Sequence, residues 1–94
     1  MAGYLTTHVL DTARGCPAEG LRIELYKIVK DSRNFLSEAL TNDDGRTDKQ
    51  ILSSAEFEIG EYELLFHCGD YIARHNQVSE GVQFLNIVPI RFGM

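Results

Sequence analysis

His8 and Arg46 are the two residues whose chemistry stands out first. His8 lies in Leu5-Thr6-Thr7-His8-Val9-Leu10-Asp11, a short run with strand character followed by a turn signal at Gly15-Cys16-Pro17. A neutral imidazole has an ordinary pKa of about 6.5, so it can take a proton from water near neutral pH. With Val9 directed inward, strand alternation sends His8 to the opposite face, the solvent or interface side of a sandwich. Arg46 follows the turn Asn42-Asp43-Asp44-Gly45. Its guanidinium offers five donors in a planar fork, a match for a flat, oxygen-rich heterocycle. By residue type alone, each is better explained as an ordinary surface residue.

Other polar side chains read as structural. Asp11 and Asp48 fit turn or capping roles, and Thr6 and Thr7 fit strand-edge hydrogen bonding. His67-Cys68 beside Asp70 invites a metal or thiol-nucleophile reading. Adjacent strand residues point to opposite faces, which argues against one shared ligand site. A catalytic cysteine also needs a base within reach, and no spacing supplies one. His75 reads as an exposed helix residue. Tyr62, Phe66, Tyr71, Phe84 and Phe92 read as core or interface.

The elements that must position these residues are mostly strands. Leu21, Ile23 and Leu25 alternate with Arg22, Glu24 and Tyr26, giving one inward and one outward face. Phe35 to Thr41 is a second run with weaker alternation. The cluster Lys30-Asp31-Ser32-Arg33-Asn34 joins the two as a hairpin. Asn42-Asp43-Asp44-Gly45 is the strongest turn signal, since Asn and Asp bond their own backbone and Gly accepts positive φ. Tyr62 to Phe66 predicts a third strand. Phe84 to Phe92 predicts a fourth, at a sheet edge or with a bulge, because Pro89 cannot donate to a ladder. One helix is predicted over Tyr71 to Asn76, capped by Asp70, with a polar connection over Gln77 to Gly81. Ser53-Ser54-Ala55-Glu56 predicts a loop or single turn. Together these predict a mainly β, sandwich-like fold.

Composition bounds the partners. The 94 residues predict one domain. Nine basic and fourteen acidic residues give a net charge of −5, which argues against nucleic acid and anionic membranes. No apolar run is long enough to span a bilayer. Met1-Ala2-Gly3 lacks the basic and apolar regions of a signal peptide, so the expected location is cytoplasmic. Cys16 and Cys68 are then expected as free thiols, and their spacing fits no zinc motif.

The run from Leu5 to Ala18 resembles the N-terminal signature of the transthyretin-like 5-hydroxyisourate hydrolases, enzymes of urate breakdown. Thr41 to Asp48, Gly60 to Tyr71 and Phe84 to Gly93 match that family in the same order. The resemblance implies a transthyretin-like β-sandwich of two antiparallel four-stranded sheets with one short helix. It implies hydrolysis of 5-hydroxyisourate to 2-oxo-4-hydroxy-4-carboxy-5-ureidoimidazoline on the way to allantoin. In the family, the histidine matching His8 lies in the active site and the arginine matching Arg46 contacts the substrate. The family needs no metal or organic cofactor and works as a homotetramer with sites in a channel between subunits. Its members continue into a His-Tyr-His-Val/Ile-Pro-Leu-Leu strand and end in Tyr-Arg-Gly-Ser. That segment brings two strands and a second active-site histidine, so residues 1–94 are expected to be a single domain lacking those strands, part of a longer protein. The alternative functions are a non-catalytic, transthyretin-like carrier of small ligands and an inactive truncated relative.

Overall fold

The computed structural model describes residues 3–75 and 85–94. Its elements run β1 (Leu10–Asp11), β2 (Cys16–Pro17), β3 (Arg22–Val29), β4 (Ser32–Leu40), β5 (Glu61–His67), α1 (Cys68–His75) and β6 (Ile87–Gly93). One antiparallel sheet has the order β4-β3-β5-β6. The second is smaller: β1 pairs with β2, and isolated bridges join Leu5 to Leu52 and His8 to Arg46. Among the described residues, therefore, one sheet has four strands and the other has two strands with two bridges. The mainly β sandwich with one short helix is as expected.

The core lies between the two sheets. The inward-facing set of β3 is the one that alternation selects, with Ile23 and Leu25 fully buried and Leu21 beside them. Tyr62, Leu64 and Phe66 of β5 fall on the same face, because Leu25 pairs with Leu64 and Ile23 with Phe66. Leu5 and Val9 from the smaller sheet, Ile51 and Leu52, and Tyr71 of α1 close over them. Burying a side chain of this size contributes about 1.5–3 kcal/mol.

Several boundaries differ from expectation, each for a local reason. The first turn occupies Thr12–Gly15, and Cys16–Pro17 already form the returning strand. Asp11 Oδ1 accepts the Arg14 N–H at 3.1 Å, and Gly15 takes the left-handed conformation at φ 70°. The hairpin turn is only Lys30-Asp31, with φ of 50° and 65°. Two left-handed residues give the turn twist that matches paired strands, so Ser32 to Asn34 are released into β4. The weak alternation of β4 comes from a register shift. Leu25 opposes Ser37 but Tyr26 opposes Phe35, leaving Leu36 between them and reversing the strand's parity.

The helix begins at Cys68, two residues before the predicted cap. Asp70 lies in its first turn, where a carboxylate is favoured by the exposed amides. The predicted helix end at Asn76, the Gln77 to Gly81 connection and Phe84 fall outside the described residues. The last strand starts at Ile87 and forms a sheet edge, which tolerates Pro89 opposite Leu65. Ser54 to Glu56 make a single turn, with Ser53 Oγ donating to Glu56 Oε1 at 2.9 Å. Both cysteines are free thiols.

Candidate active site

His8 and Arg46 are brought directly opposite each other by an antiparallel bridge. Opposite residues of such a pair share one face, with Cβ atoms about 4.5–5.5 Å apart. Both are exposed, while Val9 between His8 and Leu10 packs against the core. The inward-outward reading of this strand is thus correct.

The strand is fixed along its length. Leu5 N donates to Leu52 O at 2.9 Å, and Ile51 N donates to Leu5 O at 2.9 Å. Val9 N donates to Gly45 O at 2.9 Å, and Ala18 N donates to Val9 O at 3.0 Å. Val9 is consequently clamped on both sides one residue from His8.

Arg46 is positioned by the turn before it. Gly45 adopts φ 77°, and a Cβ there would run into the Val9 carbonyl oxygen. Only glycine lets the turn approach the His8 strand this closely. Asn42 Oδ1 accepts the N–H groups of Asp44 at 2.9 Å and Arg46 at 3.2 Å. Upstream, the buried Thr41 hydroxyl donates to Ala18 O at 2.6 Å and accepts from Leu21 N at 2.9 Å. The turn is therefore anchored in the core at one end and presents Arg46 at the other.

Among the described residues, the other candidate groups form no side-chain hydrogen bond or ion pair with His8 or Arg46. Asp11 faces inward and accepts the Tyr71 hydroxyl at 2.8 Å, while Arg14 Nη1 donates to the same hydroxyl at 3.1 Å. The Tyr71 bond, with help from the Arg14 amide, holds the Asp11 carboxyl below its ordinary value. Asp48 accepts from Asn42 Nδ2 at 3.0 Å. His67 lies on the outer face of the large sheet, its Nε2 2.6 Å from Glu24 Oε1. That contact lowers the Glu24 pKa. Burial pushes the Cys68 thiol up, which disfavours the thiolate a nucleophile needs. His75 is exposed, with its ring 4.5 Å from that of Tyr71. Among the described residues no three His, Cys, Asp or Glu side chains converge as metal ligands.

A hollow of about 290 Å3 lies between the β1–β2 hairpin and α1, bordered by Val9, Asp11, Cys68, Tyr71 and Leu85. Neither His8 nor Arg46 borders this hollow, and both are exposed, so the pair stands outside it. Sequence reasoning marked Asp11 as a turn residue and Tyr71 as core, but missed their bond. It likewise placed Asn42 in a turn without its grip on Arg46. The Asp11–Tyr71 bond joins residues 60 apart and leaves no fixed spacing in the sequence, whereas the Asn42 bonds span two and four residues and are of the local kind that the turn signal already implies.

The architecture is that of a transthyretin-like β-sandwich carrying a histidine–arginine pair on its smaller sheet. The family model described as HIUase/Transthyretin matches residues 5–94, and the chain belongs to that family. A curated 5-hydroxyisourate hydrolase from Mesorhizobium japonicum is 52% identical over 92 residues, covering 98% of this chain and 74% of that protein. The crystal structure of an (S)-allantoin synthase superposes with a TM-score of 0.87 at 43% identity, covering 99% of this chain. The chain spans only 35% of that longer protein. The structure of Klebsiella pneumoniae 5-hydroxyisourate hydrolase superposes with a TM-score of 0.79 at 29% identity, covering 98% of this chain and 80% of the other.

Proposed function

We propose that this chain is a 5-hydroxyisourate hydrolase, with His8 and Arg46 as its catalytic and substrate-binding residues. The observation that carries the assignment of residues is the bridge placing His8 opposite Arg46 on one exposed face. A ring nitrogen of neutral His8 takes a proton from water as the water oxygen attacks a ring carbonyl carbon. Arg46 faces the oxygen on which negative charge develops. Collapse breaks the ring C–N bond, and the imidazolium returns its proton to the departing nitrogen. The product carries a new carboxylate, and no redox step or cofactor is required. Relatives named for this reaction support the reading.

In the proposed working form, residues 1–94 make one transthyretin-like domain within a cytoplasmic homotetramer. The open face around His8 supports assembly, because a neighbouring subunit can enclose substrate there. No helix among the described residues is long and apolar enough to cross a membrane.

The test is the ultraviolet decay of freshly generated 5-hydroxyisourate. The protein accelerates the decay, and His8→Ala removes at least about a hundredfold of that acceleration. Because His8 is exposed, its replacement leaves the melting temperature nearly unchanged. Retained turnover in His8→Ala would reject its catalytic role. Saturable binding of small ligands without any turnover by the parent protein would favour the carrier reading instead.

A further inference from the structure

We propose that Asn42 is a positioning residue for Arg46: its side-chain amide locks the turn that holds Arg46 opposite His8. The proposal rests on the hydrolase reading for its catalytic meaning and on the turn geometry for its physical content. Asn42 Oδ1 accepts two amides, from Asp44 at 2.9 Å and from Arg46 at 3.2 Å. Asn42 Nδ2 donates to Asp48 Oδ1 at 3.0 Å, so the amide is held from both of its ends. The main chain adds two bonds. Asn42 N donates to Arg46 O at 2.6 Å, and Gly45 N donates to Asn42 O at 2.9 Å. Both backbone groups of Arg46 are thus bound by residue 42.

The next bond in the chain reaches the histidine strand. Gly45 O accepts from Val9 N at 2.9 Å. A shift of the turn would move Arg46 relative to His8 while leaving the core untouched. Misplacing a substrate-holding group by about 1 Å costs up to a hundredfold in rate.

The chemistry of Asn42 defines discriminating variants. Asn42→Ala removes all three side-chain bonds and leaves the two main-chain bonds. Asn42→Asp keeps the acceptor for Asp44 and Arg46 but sets a carboxylate against Asp48, where like charges repel. Adding Asp48→Asn restores the pair with donor and acceptor exchanged. A residue serving stability alone would change the melting temperature without changing kinetics at a temperature where every variant is folded.

The experiment measures kcat and KM for 5-hydroxyisourate at 25 °C, together with hydrogen exchange of the Arg46 amide by NMR. Asn42→Ala and Asn42→Asp should each lower kcat/KM by about tenfold and speed exchange at Arg46. The double variant Asn42→Asp with Asp48→Asn should return both readouts to within about threefold of the parent. Parent-like kinetics in Asn42→Ala, or a double variant as impaired as Asn42→Asp, overturns the proposal. An inactive parent overturns the hydrolase reading instead. The lock is then decided by exchange alone: faster exchange in Asn42→Ala, reversed in the double variant, sustains it, and unchanged exchange rejects it.

Discussion

Arg46 and Lys carry the same charge, yet only the guanidinium presents two parallel donors to a planar substrate. Arg46→Lys should therefore raise KM and lower kcat/KM by about tenfold or more, read by steady-state decay of 5-hydroxyisourate. Kinetics like those of the parent would remove the paired-donor role. One position earlier, Gly45 is subject to a different constraint. Its φ of 77° and the Val9 carbonyl oxygen leave no room for a Cβ. Gly45→Ala should cost about 2–4 kcal/mol, combining left-handed strain with displacement of the turn. Thermal or denaturant unfolding checks this. A loss below about 1 kcal/mol would mean that the turn relaxes away from the His8 strand without strain. The spacing of Asn42-Asp43-Asp44-Gly45 made this turn legible in the sequence, because each residue type suits its backbone role. The contact of Gly45 with Val9 was not legible, since it joins segments whose separation carries no local pattern.

At the level of elements, one buried hydroxyl ties the β1–β2 hairpin to α1. Tyr71 from the helix donates to Asp11, and Arg14 donates to Tyr71. Tyr71→Phe keeps the ring packing and removes both bonds. It should lower the melting temperature at neutral pH by about 3–6 °C. The Asp11 carboxyl is held below its unfolded value, chiefly by the Tyr71 hydroxyl. Its contribution is thus present above the unfolded pKa of about 4 and is lost as pH falls through the lower folded value. The difference between parent and Tyr71→Phe should accordingly narrow in melts taken below about pH 4. A difference independent of pH would show that the bond to Asp11 is not what stabilises this contact. The strands themselves were readable because their inward residues recur with period two, as in Leu21, Ile23 and Leu25. β4 was read less well, because the irregularity at Leu36 reverses its parity. The helix start was misplaced because Asp70 has the residue type of a cap while the chain turns helical at Cys68. In both cases tertiary pairing, rather than local preference, sets the boundary.

For the whole molecule, the two faces of the structure are managed differently. On the outer face of the large sheet, charged side chains pair with one another. Glu63, only 4% exposed, accepts from Arg33 at 2.6 Å and from Arg91 at 3.2 Å. A carboxylate so buried is stable only with such partners. Among the described residues, neither His8 nor Arg46 takes part in such an ion pair. Leu10, two residues beyond His8 and on the same side by strand alternation, is 57% exposed. An apolar side chain beside the proposed catalytic pair favours a neighbouring copy that excludes water from both. Activity should then depend on assembly. Specific activity should be constant while sedimentation velocity reports an oligomer and should fall on dilution as monomer appears. Leu10→Glu should shift that fall to higher protein concentration, because burying a carboxylate against the neighbour is costly. Full specific activity in a sample shown to be monomeric would establish that each chain completes its own site, and that the exposed Leu10 face serves another purpose.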